Sequence, residues 1–165
     1  MNSQVKKISI IAVTITLALV LSYVDSLINL FPGIPGIKLG LANIAIIFAL
    51  YKLGLKEAIT VSFLRIILSC ILFSGILTFM YSFVGAILSL SLMFLLKKFK
   101  FHMTAVSITG AVMHNVGQIL VAAVLMEVVQ IIYYLPMLIL TGVLSGLGIG
   151  LMAILVLKYT KDIKY

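Results

Sequence analysis

Apolar residues run through this chain in long blocks, and polar residues are confined mostly to the gaps between them. The blocks run from about Ile8 to Ile28, Leu39 to Leu53, Glu57 to Phe73, Ile76 to Leu96, Thr104 to Met126 and Val129 to Leu157. They are too long for strands and lack period-2 alternation, so each predicts a helix. A hydrocarbon core takes roughly 20 helical residues to cross, and the second block is short of that. The pattern therefore predicts an all-α membrane protein, one domain of six transmembrane helices over residues 1–165. The gaps have physical causes. Pro32, Gly33, Pro35 and Gly36 stop any helix between the first two blocks. Gly54 marks the next turn, Ser74 and Gly75 the one after, and Lys97, Lys98 and Lys100 separate the fourth and fifth blocks. Pro136 falls early in the last block and predicts either a kink or a later start.

Composition strengthens this reading. Of 165 residues, 64% are hydrophobic and only 10% charged, and the mean hydropathy is +1.33. A globule of this size cannot bury so much apolar surface, so the lipid bilayer must serve as part of its solvent. The first block is followed by no small-residue cleavage site and reads as a retained helix. The net charge of +8 is scattered between apolar runs, which fits membrane topology and argues against nucleic acid as a partner. With the N-terminus inside, Lys6, Lys7, Lys52, Lys56, Lys97, Lys98, Lys100, Lys158, Lys161 and Lys164 are all cytoplasmic, and Lys38 is the outer lysine. Both termini are then expected in the cytoplasm. Tyr51 and Tyr159 suit the inner interface, and Tyr81, Tyr133 and Tyr134 the outer one.

The informative residues are those that are unfavourable in lipid unless partnered. Arg65 lies near the middle of the third block, with Ser62 and Ser69 at i−3 and i+4 on one face. Its acceptor is either an anionic group of a ligand or, structurally, Asp25 or helix-end carbonyls; both readings stand. Ser107, Ala111, His114 and Gln118 form one stripe of the fifth block, and Asn115 adjoins it. His, Asn and Gln offer donors and acceptors that read a polar ligand or tie helices together. Lys38 and Asn43 open the second block after Asp25, Ser26 and Asn29, and free N–H groups at that helix start suit an anion. The substrate-binding candidates are thus Asp25, Lys38, Asn43, Arg65, His114, Asn115 and Gln118. Small-residue faces, Thr14-Ala18-Ser22 and Gly142-Gly146-Gly150, predict close helix packing or docking of another membrane subunit. Cys70 reads as a packing residue. There is no phosphate-binding glycine loop, HExxH or CxxC, and the four acids form no paired Asp-rich magnesium motif. No catalytic residue, metal or cofactor is expected.

The stretch from Pro35 to Ile44, with Arg65 and the run Gly110-Ala111-Val112-Met113-His114-Asn115-Val116-Gly117-Gln118, resembles the bacterial Gx transporter family, also labelled heptaprenyl diphosphate synthase component I. The resemblance covers nearly the whole chain. It implies likeness to the S components of energy-coupling-factor (ECF) transporters: six helices, both ends inside the bacterial cell membrane, and a pocket near the outer face. It further implies a vitamin, flavin or prenyl or quinone precursor as small-molecule ligand. The partners it implies are an ECF coupling subunit and ATPases, met through the small-residue faces of helices 1 and 6. An accessory role in heptaprenyl diphosphate or quinone synthesis, or a membrane role in flavin- or quinone-linked extracellular electron transfer, is the alternative.

Overall fold

The computed structural model describes residues 3–28 and 40–161, and every regular element among them is helical. Helix α1 is Ser3–Leu27. Helix α2, Asn43–Phe48, continues as a π-helical turn over Ala49–Leu53. Helix α3, Leu55–Ser69, likewise ends in a π-helical turn, Cys70–Ser74. Helices α4 and α5 are Gly75–Lys98 and Met103–Leu125. A 3-10 stretch, Val129–Tyr134, leads into α6, Leu135–Tyr159. Pro136 sits in the first turn of α6, so it marks a later start and not a kink. Gly54 (φ +128°) and Gly75 (φ +74°) adopt backbone that side-chain-bearing residues rarely take, which is why the breaks fall there.

Four runs are apolar and long enough to cross a membrane: Gln4–Leu27, Leu55–Lys98, Met103–Leu125 and Val129–Tyr159, while Asn43–Leu53 is shorter. The 44-residue run Leu55–Lys98 doubles back at Gly75. The rings of Phe63 and Phe83 lie 5.5 Å apart, whereas a straight helix would separate those positions by about 30 Å.

The short α2 is the centre of the bundle. It touches α1, α3 and α6, while α5 meshes with α4 on one side and α6 on the other. Ile47 of α2 and Leu50 of the π-helical turn that continues it are fully enclosed, packed with Val61, Met93 and Val106. Tyr81 is buried in a second cluster with Ile119, Ala122, Ile131 and Leu138. Its ring fills a gap between helices.

Glycines set the closest crossings. A Cβ on Gly146 would stand 2.6 Å from the Ile108 Cα, and one on Gly117 would stand 2.7 Å from the Gly85 Cα. Gly142 and Gly150 likewise face Val112 and Thr104 of α5. Thr14, Ala18 and Ser22 of α1 are buried as well. Both small-residue faces, expected to serve close helix packing or the docking of another subunit, are turned inward, where close backbone approach is needed within this chain.

One end of the bundle collects basic side chains. Lys52 donates to the carbonyls of Thr160 (2.8 Å) and Lys161 (3.0 Å), capping α6. Lys97 donates to the Leu50 carbonyl and lies 4.9 Å from the Tyr51 ring centroid. Lys7 pairs with Glu57.

Candidate functional site

Away from that end, polar side chains from α1, α2, α3, α4, α5 and α6 converge. Asp25, Gly40, Ala42, Asn43, Arg65, Ser82, Ala111, His114, Asn115 and Ser145 line a recess of about 30 Å³. That volume suits about two waters. It is far below the several hundred Å³ of a site enclosing a whole small molecule.

Each wall has a local cause. Asp25, in the last turn of α1, is buried and accepts the backbone N–H of Gly40 at 2.9 Å. Gly40 has φ +73° and starts the turn into α2. Asn43 N–H donates to the Gly40 carbonyl (2.8 Å), Ile44 N–H to Leu41 (3.1 Å) and Ala45 N–H to Ala42 (3.2 Å). These early N–H groups of α2, expected to be free for an anion, are thus taken by the turn itself.

Arg65 enters from α3. Its Nη1 donates to the Ser22 hydroxyl at 3.1 Å, and Asp25 acts on it electrostatically. Its Nε and Nη2 are buried and have no hydrogen-bond partner among the described residues. A guanidinium carries five N–H donors in a planar fork, so this one is underused. Unsatisfied buried donors are unfavourable, and more so when charged. The arrangement can therefore accept an anionic oxygen with little further reorganisation.

Helix α5 supplies the opposite wall. His114 packs on Gly85: a Cβ there would come within 3.0 Å of its Nδ1 and 2.7 Å of its carbonyl oxygen. Asn115 Nδ2 donates to the Leu138 carbonyl at 2.9 Å, so part of its polarity is spent tying α5 to α6.

Of the residues singled out from sequence, Asp25, Asn43, Arg65, His114 and Asn115 meet at this recess. Gln118 does not line it, although it is buried and its Oε1 lacks a hydrogen-bond partner among the described residues. Lys38 and Asn29 lie outside the described residues. The polar face of α3 divides: Ser62 lines an apolar groove against α4, and Ser69 bonds to the Ile66 carbonyl. The α5 stripe divides too, since Ser107 packs beneath Gly150. Ser82 and Ser145 were missed; single serines in apolar blocks carry no spacing signal. Ser22 was visible only as a small packing residue, and its hydroxyl turned out to hold Arg65.

Among the described residues no three His, Cys, Asp or Glu side chains stand close enough to hold a metal. No curated protein and no solved structure matches the chain. A family profile does match, over residues 14–156 and hence nearly the whole length. The chain belongs to the family described as heptaprenyl diphosphate synthase component I.

Proposed function

We propose that this protein is a substrate-binding membrane subunit, similar to the S components of ECF transporters, that holds an anionic group at Arg65. In this reading the chain crosses the bacterial cell membrane six times, with the lysine-rich end and both termini in the cytoplasm. Retention of lysine on that side follows the usual bias. The reading rests on one observation above others: two buried guanidinium nitrogens of Arg65 without acceptors among the described residues, on a side chain that lines a recess shared with His114 and Asn43. A recess of about 30 Å³ takes a carboxylate or phosphate head, not a whole vitamin, so the body of the ligand extends beyond it. Asp25 tempers the charge of Arg65, which keeps anion binding reversible. On its sequence position alone, Lys38 is proposed as a second cationic group for the ligand.

Native mass spectrometry of gently purified protein tests the reading. A retained small anion is expected in the wild type and is lost in Arg65→Ala. Equal retention by the variant, or no retained species together with no thermal shift across anionic metabolite pools, overturns it.

The family description favours a second reading, an accessory subunit of prenyl diphosphate formation. A groove of about 360 Å³ between α3 and α4, lined by Phe63, Ile66, Phe83 and Leu90 with Ser62, offers room for an apolar chain. With four acids in the chain and no Asp-rich pair, the magnesium chemistry would belong to a soluble partner. Adding this chain to that synthase should then raise its activity or lengthen its product, and no change would count against it.

A further inference from the structure

The seam between α1 and α6 is open, and α2 forms its floor. The groove there measures about 420 Å³, with Val13 and Leu17 on one wall, Val156 on the other, and Ala45 and Phe48 beneath. Its α1 wall runs from Lys6 to Leu17, about 16 Å along the helix axis. That is close to half of a hydrocarbon core about 30 Å thick, one leaflet. The hydroxyls on its walls are already used. Ser9 donates to the Val5 carbonyl (2.9 Å), Thr14 to Ile10 (2.7 Å) and Thr160 to Val156 (2.7 Å). The groove is therefore hydrocarbon along its length, with one cationic group, the exposed Lys6, at its end.

We propose that this groove binds one anionic phospholipid, an acyl chain lying along α1 and the phosphate meeting Lys6. The choice of leaflet rests on the cytoplasmic placement of the lysine-rich end given above. Charge complementarity selects the lipid class. Lys7 is paired with Glu57 and Lys52 is held by the α6 carbonyls, whereas Lys6 has no ion pair among the described residues. Anionic headgroups concentrate at the cytoplasmic surface and attract lysines there. An acyl chain demands no hydrogen bonds, and the groove offers none.

The test uses the full chain in nanodiscs of phosphatidylcholine with or without one-fifth phosphatidylglycerol, followed by native mass spectrometry on release. One phosphatidylglycerol should persist through delipidation while phosphatidylcholine does not. Lys6→Glu should weaken that retention about fivefold or more. Val13→Trp, at a lipid-facing position, should abolish it without lowering thermal stability. Equal retention of both lipids, or retention unchanged in Lys6→Glu, overturns the proposal. So does a wild-type dimer that Val13→Trp converts to monomer, since a second copy would then cover the groove. Nanodiscs expose both faces, so they read the groove whichever way it faces, and topology is read separately by labelling an N-terminal cysteine with a membrane-impermeant reagent in intact cells.

Discussion

The two ends of this bundle solve opposite problems. At the lysine-rich end, Ile47, Leu50, Val61, Met93 and Val106 form a dry core, and Lys52 and Lys97 seal it by capping helix carbonyls. At the other end, Asp25, Arg65 and His114 surround a recess, and the strongest donor group is left partly unsatisfied. A protein selected for stability alone would fill that recess with hydrocarbon. The contrast shows that one end carries the fold and the other departs from good packing, which is where functional groups are expected to concentrate.

The contrast can be broken at its foundation. Gly146→Leu forces a side chain into the backbone of Ile108 and should prevent stable folding, read as loss of monodisperse protein in detergent. Gly148, two residues on, has open space around its Cβ position. Gly148→Ala should be neutral or stabilise by up to about 1 kcal/mol, so the pair separates crossing geometry from helix propensity. Leu50→Ala opens a cavity in the dry end and should cost about 2–5 kcal/mol in a denaturant titration. Lys52→Ala removes the cap on α6 and should cost roughly 1 kcal/mol, mostly as earlier fraying of its last turn in hydrogen exchange. The smallest stability effect should come from neutralising both buried charges together. Arg65→Met combined with Asp25→Asn should change stability by less than about 1 kcal/mol, because neutral groups often replace a buried charge pair without loss. Arg65→Met alone strands the buried Asp25 carboxylate and should cost up to about 3–5 kcal/mol. Either variant should eliminate retention of any bound anion, so stability and binding move independently.

The helices were legible because lipid leaves the backbone few options, and the breaks at Gly54 and Gly75 were legible because their backbone requires glycine. The position of α2 was less so. A short apolar block reads as an incomplete span, and nothing in its composition says that it lies at the centre with the others wrapped around it. The site was legible by cost: Arg65, Asp25 and His114 stand out in any apolar block, and they do meet. Which serines join them depends on helix rotation, and Ser82 and Ser145 face the recess only because α4 and α6 are turned by their glycine contacts with α5. Gln118 shows the converse. It shares a sequence stripe with His114, but four residues along a tightly packed helix carry it past the recess.

The glycine contacts have a mechanical consequence. With Gly117 against Gly85 on one side and Gly142, Gly146 and Gly150 against α5 on the other, helices α4, α5 and α6 are bolted into a plate that holds His114, Asn115, Ser82 and Ser145 at fixed spacing. Asp25 and Arg65 belong to α1 and α3, which meet each other without any such glycine bolt among the described residues. The α1–α3 pair is thus the wall of the recess that no glycine contact among the described residues pins to α5, and the Ser22–Arg65 hydrogen bond is what ties its two helices together there.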